Sequence, residues 1–279
     1  MTIRVFTHTT SDGLRLSGHI HIPENPRAVM SLVHGFGEHQ GRYGPMVQHL
    51  NDAGIAVVTM DLRGHGISEG KRGVCKDYAL MIDDVGAQIR KGARTLPNLP
   101  QYLYGHSMGG GIVLRFASDA GRAAELSGLI VSAPLIKLPK ALPKAQITAV
   151  KLLRRFAPNM TIPNPIAGDQ ISTLPDEQAR YESDELNHDR LGIGLALDMI
   201  ENGEIVLSRA ENFSRPILLV HAKNDQLTAS SASEEFASRA PNCDLHIFEN
   251  CEHELHNDIA RSEVYGLMTR FMDITGVTA

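Results

Sequence analysis

The residues with the clearest chemical potential centre on Ser107. It sits in the run Gln101-Tyr-Leu-Tyr-Gly-His-Ser-Met-Gly-Gly-Gly111, between Gly105 and Gly109. A G-x-S-x-G pattern with an extended segment before it and a helix start after it puts a serine on a tight, strained turn. Glycine two places on either side removes the Cβ atoms that would strike the adjoining strand and helix. A serine hydroxyl is too weak an acid to attack a carbonyl unaided, so a base and an orienting carboxylate must come from elsewhere in the chain. In this kind of site they follow in the order serine, Asp or Glu, histidine. Asp225, in the loop Ala222-Lys-Asn-Asp-Gln226, and His253, in Cys251-Glu-His-Glu-Leu-His256, fit that order. Each follows an apolar segment of strand length. His253 would take the serine proton, and Asp225 would fix the imidazole tautomer. An oxyanion hole needs two backbone N–H groups, and Phe36 of His34-Gly-Phe-Gly37 and Met108 are the candidates. The chemistry expected is acyl transfer to serine. Taken singly, Asp225 reads more readily as a turn residue and His253 as a solvent histidine. Order and placement together favour the triad. His246 and Asp244 compete less well, one inside a strand and the other before it. Cys251 to His256 invites a metal reading, but its histidines are three apart rather than the four of H-E-x-x-H. No metal and no cofactor are expected.

The elements that would position these groups alternate between strand and helix. Strands are expected at 3–9, 14–22, 28–33, 55–60, 102–105, 126–132, 216–221 and 244–248. Helices are expected at 43–53, 78–94, 110–117, 230–239 and 258–274. The short apolar runs read as buried strands of a mostly parallel sheet, and the first two as an edge hairpin around Ser11-Asp-Gly13. The fold class is therefore α/β, a doubly wound sheet with helices on both faces and functional loops at the strands' carboxyl ends. From Leu135 to Asn212 the rhythm breaks, with prolines at 139, 143, 158, 163, 165 and 175, no convincing buried strand, and helices at 145–156 and 191–201. The chain thus divides into core 1–134, inserted helical cap 135–212 and core 213–279. The cap helix 145–156 carries Ile147, Val150, Leu153 and Phe156 near one face with Lys151, Arg154 and Arg155 interleaved. It reads either as a helix that touches a lipid surface or as one packed on its own core.

Composition narrows the class. The chain has 279 residues, 42% of them hydrophobic, and a formal net charge of -5. That balance argues against nucleic acid as the partner. No apolar run reaches membrane-spanning length, and the N-terminus shows no apolar signal segment. Three unpatterned cysteines fit a reducing compartment. A cytoplasmic location, peripheral to a membrane at most, is expected.

Four stretches carry a family resemblance. They are His34-Gly-Phe-Gly-Glu-His39 with Gly41-Arg-Tyr43, Asp61-Leu-Arg-Gly-His-Gly-Ile-Ser-Glu-Gly70, Gly105-His-Ser-Met-Gly-Gly110, and Tyr181-Glu-Ser-Asp-Glu-Leu186. Together with the Cys251–His256 loop they resemble the monoacylglycerol lipase, or lysophospholipase-like, branch of the α/β-hydrolase fold over essentially the whole chain. The resemblance implies the α/β-hydrolase fold, the triad Ser107, Asp225 and His253, and an acyl tunnel under the cap. It also implies a polar pocket for the alcohol, matched here by Glu38, Arg42, Tyr181 and His256. Glu38 and Arg42 could instead pair with each other and hold their loop. Phe36 stands where a smaller residue is usual, and Glu185 where proline is usual. The substrate implied is a lipid-like ester, monoacylglycerol first, with lysophospholipids and short esters as alternatives. A non-catalytic binding role would call for a lost triad member, and none is lost.

Overall fold

The structure is a computed structural model that describes residues 1–276; the last three positions of the 213–279 segment lie outside it. The chain opens with an antiparallel hairpin, β1 (Thr2–Thr9) and β2 (Arg15–Ile22). Then come β3 (Ala28–Val33), α1 (Gly44–Asp52), β4 (Ile55–Met60), α2 (Tyr78–Thr95), β5 (Gln101–His106), α3 (Met108–Ala117), the single turn α4 (Ala120–Ala123) and β6 (Leu126–Ser132). Between β6 and the next core strand lie α5 (Lys144–Phe156), β7 (Thr161–Pro163), α6 (Gly168–Ile171), α7 (Pro175–Glu182), β8 (Arg190–Gly192) and α8 (Ile193–Ser208). The core resumes with β9 (Ile217–Ala222), α9 (Ser230–Arg239), β10 (Cys243–Phe248) and α10 (Arg261–Gly276).

Eight strands form one sheet in the order β1-β2-β4-β3-β5-β6-β9-β10. Pairings within the hairpin and from β2 to β4 are antiparallel, and the rest are parallel. The α/β class expected from sequence is the one found. Every residue of β3, β4, β5 and β9 is buried, because parallel crossovers place helices over both faces. The period of two sorts each strand between two cores. Val33, Leu103, Val131 and Leu219 meet α2, α3 and α8. Leu32, Tyr104, Ile130 and Val220 meet α1 and α10. Strand register matters most for the site. Val33 pairs with Gly105, His106 with Ser132, Ser132 with Val220, and Ala222 with Phe248. The loops after β3, β5, β9 and β10 therefore emerge at one carboxyl edge.

The structure differs from the sequence reading in several places. The segment between β6 and β9 contains a two-stranded antiparallel ladder, β7 with β8. Its strands have three residues each, too short to show a period. The helix expected at 191–201 runs to Ser208, across Asn202-Gly203. Glycine there is a packing requirement rather than a stop, since a Cβ on Gly203 would lie 1.8 Å from the Ile136 carbonyl oxygen. Asp244 lies inside β10 rather than before it. Asp258 precedes the last helix, and its carboxylate accepts the N–H groups of Glu252 (2.7 Å) and Thr173 (3.1 Å). Among the described residues no helix is long and apolar enough to cross a membrane.

Candidate active site

Ser107 occupies the turn between β5 and α3 with φ 53° and ψ -118°, a backbone region that costs an L-residue energy. Its surroundings hold it there. The Ser107 N–H donates to Ser132 O (3.0 Å), and the Ser107 carbonyl accepts from Gly111 (3.0 Å) and Leu135 (2.9 Å). A Cβ on Gly105 would lie 2.5 Å from Gly109 O, and one on Gly109 would lie 2.4 Å from both Val33 O and His34 O. Those two glycines are the condition for the turn.

His253 and Asp225 meet across the edge. His253 Nδ1 lies 2.6 Å from Asp225 Oδ2, with both side chains almost wholly buried. Asp225 is fixed by four further contacts. Its Oδ1 accepts the N–H groups of Leu227 (2.7 Å) and Thr228 (3.0 Å), and its Oδ2 takes the Thr228 hydroxyl (2.9 Å). His221 Nε2 stands 3.2 Å from the same Oδ2. Burial alone would raise the Asp225 pKa, but His253 and His221 outweigh it and hold the carboxyl well below its usual range. Burial alone would lower the His253 pKa, and the Asp225 charge reverses this, leaving it above the ordinary imidazole value. His253 thus has the setting of a general base oriented by an ionised carboxylate. Ser107 and His253 line the same cavity.

Phe36 and Met108 line that cavity too. Met108 opens α3, where an N–H has no intrahelical acceptor. The Phe36 loop is set from beneath. Gly35 N–H donates to Glu38 Oε1 (2.5 Å), which also accepts the Tyr43 hydroxyl (2.7 Å). His34 Nε2 accepts Leu62 N–H (2.9 Å) and ties the loop to the turn after β4.

The remaining sequence candidates gather in one polar cluster. Arg42 donates to Glu254 Oε2 (2.6 Å), approaches Glu38 at 3.5 Å and lies over the Tyr181 ring at 4.9 Å. Burial, with the Glu254 charge adding to it, raises the Glu38 pKa. The Arg42 guanidinium holds Glu254 below its usual range despite its burial. Glu38, Tyr181 and Glu254 line the cavity, whereas Arg42 and His256 do not. His256 stacks on Tyr43 with centroids 4.5 Å apart, and neither ring nitrogen has a partner among the described residues. Burial lowers its pKa to about 4, so the ring is neutral. Sequence reasoning did not find Glu254, His221 or Thr228. Glu254 adjoins His253, and His221 lies next to the end of β9, four positions before Asp225, but the partner that gives Glu254 its meaning, Arg42, is distant in sequence.

The cavity measures about 620 Å³, within the range of small-molecule sites. Its wall is mostly apolar and draws on the segment between β6 and β9, including Leu135, Leu142, Ile147, Val150, Ile162, Leu197 and Ile200.

Comparison with known proteins gives a consistent answer. The sequence profile described as "Serine aminopeptidase, S33" matches residues 24–260. A monoacylglycerol lipase of Mycolicibacterium smegmatis is 32% identical over 88% of this chain and 88% of its own length. An uncharacterised abhydrolase domain-containing protein of Dictyostelium discoideum is 34% identical over 94% of this chain, which spans 28% of that protein. The crystal structure of the Paleococcus ferrophilus monoacylglycerol lipase superposes with a TM-score of 0.83 at 28% identity, covering 94% of this chain and 99% of that one. The chain belongs to this family of α/β-hydrolases, in its monoacylglycerol lipase-like branch.

Proposed function

We propose that this carboxylic-ester hydrolase cleaves monoacylglycerol to glycerol and a fatty acid through an acyl-serine intermediate. The observation that carries the reading is one cavity in which Ser107 and His253 share walls with a long apolar surface and with the Glu38, Tyr181 and Glu254 cluster. An ester with one apolar arm and one hydroxylated arm matches that division. Ser107 Oγ attacks the ester carbonyl as its proton passes to His253, and Asp225 stabilises the imidazolium. The N–H groups of Phe36 and Met108 take the charge that develops on the carbonyl oxygen, each worth about 3–4 kcal/mol at the transition state. The carbon–oxygen bond to the alcohol breaks, and the alcohol leaves with the His253 proton. Water, deprotonated by His253, then attacks the acyl-serine and frees the acid. Residues 135–212 act as the cap that holds the acyl chain and excludes water.

The cap also supplies the surface through which we place a membrane contact. No residue of α5 is buried, and Leu152 and Phe156 are 62% and 77% exposed beside Lys151 and Arg155. An exposed apolar row edged with basic groups suits an anionic lipid surface.

The test is steady-state fatty-acid release from a chain-length series of monoacylglycerols, beside matched lysophospholipids and p-nitrophenyl esters, with a Ser107→Ala control. Preference for monoacylglycerol, abolished in the control, supports the reading. Activity confined to short activated esters removes the lipase assignment and leaves the triad.

A further inference from the structure

We propose that His188, on the segment between α7 and β8, is a positioning residue for the oxyanion loop: it clamps Phe36 and Gly37 from the cap side. The inference rests on Phe36 as an oxyanion donor. Three observations support it. The His188 N–H donates to the Gly37 carbonyl (2.8 Å), so the loop's backbone is bonded directly to the cap. The His188 ring meets the Phe36 ring edge-on, with centroids 5.6 Å apart and planes at 86°. His65 of the core meets the same Phe36 ring at 5.9 Å and 83° and lies 4.7 Å from His188, so a core histidine and a cap histidine pack on each other and together against one side of Phe36. Edge-to-face contacts of this kind have a preferred geometry and hold a ring in place.

The clamp has the parts needed for rigidity. His188 Nδ1 accepts the Arg190 N–H (3.3 Å), which fixes the ring. Burial lowers the His188 pKa, so the ring packs in its neutral form. Gly37, at φ 74°, gives His188 room, since a Cβ there would lie 2.5 Å from the His188 carbonyl oxygen. A second tie runs parallel to the first, from Asp184 Oδ2 to His39 Nε2 at 2.9 Å. The Phe36 N–H is thus set from beneath by Glu38 and from above by the cap. An oxyanion donor works only when it is held where the charge will appear.

The experiment compares His188→Ala, which removes the ring and keeps the backbone donor, with His188→Phe, which restores an edge-to-face ring. The readouts are kcat and KM on a p-nitrophenyl ester and the inhibition constant of an alkyl trifluoromethyl ketone. That ketone bonds to Ser107 Oγ, passes the serine proton to His253 and leaves its oxygen negative in the hole. The matching alcohol, which forms no such bond, is the control. His188→Ala should lower kcat about tenfold, short of the hundredfold or more of a deleted donor, with KM within about twofold. The ketone's inhibition constant should rise by the same factor, and the Phe variant should restore both. Gly37→Ala, which pushes loop and cap apart without touching the ring, should show the same paired loss. Wild-type kcat and ketone affinity in His188→Ala, with the ketone still far tighter than the alcohol, would overturn the role of His188 alone. A ketone no tighter than the alcohol on the wild-type enzyme would overturn the oxyanion reading beneath it.

Discussion

Replacing Asp225 with asparagine is the sharpest perturbation of the proposed mechanism. The Asp225 carboxylate accepts on both oxygens. Oδ1 is taken by the Leu227 and Thr228 N–H groups, and Oδ2 by the Thr228 hydroxyl and His253 Nδ1, with His221 alongside. The two backbone donors hold the one remaining amide oxygen at Oδ1. The new NH₂ group therefore faces His253 at the former 2.6 Å contact. An NH₂ donor there is satisfied only by an unprotonated Nδ1, which moves the imidazole proton to Nε2, the atom that must receive the serine proton. The base is then blocked while shape and volume are kept. A wrong tautomer costs about ten-thousandfold in kcat, or about 5 kcal/mol of transition-state stabilisation. The assay is kcat/KM on p-nitrophenyl butyrate alongside thermal melting, so that a folding defect is seen separately. A folded Asp225→Asn variant that keeps kcat/KM within about tenfold of wild type would refute the assignment of Asp225 as the orienting carboxylate.

The remaining predictions concern pH, packing and the loop. In the proposed mechanism the unprotonated form of His253 is the base, and its pKa is raised, so kcat/KM should fall on the acid side with a midpoint above the 6.5 of free imidazole; a pH–rate profile checks this, and a midpoint below that value would contradict the Asp225–His253 coupling. Gly203→Ala reverses the usual sign of a helix-interior change: instead of gaining about 0.5–1 kcal/mol, the Cβ meets the Ile136 carbonyl at 1.8 Å. A loss of about 1–3 kcal/mol in denaturant unfolding is expected, and an unchanged or higher midpoint would refute it. Glu38→Ala leaves the buried Gly35 N–H and Tyr43 hydroxyl without their acceptor, at about 1–3 kcal/mol each. Stability and kcat should fall together in melting and kinetics, whereas Glu38→Gln, which retains an accepting oxygen, should stay within about threefold of wild-type kcat.

Much of this was legible from residue order. The runs Ala28–Val33, Ile55–Met60 and Leu126–Ser132 are uncharged, largely apolar segments of strand length, and they are strands with those boundaries. Gly105 and Gly109 announced the turn around Ser107 because only glycine fits between β5, α3 and the end of β3. What stayed hidden depends on partners distant in the chain. Arg42 looked equally suited to Glu38, four positions before it, yet its shortest contact is Glu254, 212 positions away. His188 carries no local signal at all, since its meaning lies in Gly37 and Phe36. The β7–β8 ladder escaped because three-residue strands have no period. The helix expected at 191–201 stopped short of Gly203, whose packing against the Ile136 carbonyl leaves no mark on the local sequence.

The most direct test of the account is to label the protein with an alkyl fluorophosphonate and locate the adduct by mass spectrometry while following ester hydrolysis. The account predicts one adduct per chain, on the peptide that holds Ser107, with activity lost in proportion to labelling and no labelling or turnover in Ser107→Ala. Turnover that persists in fully labelled protein, or in Ser107→Ala, would contradict it.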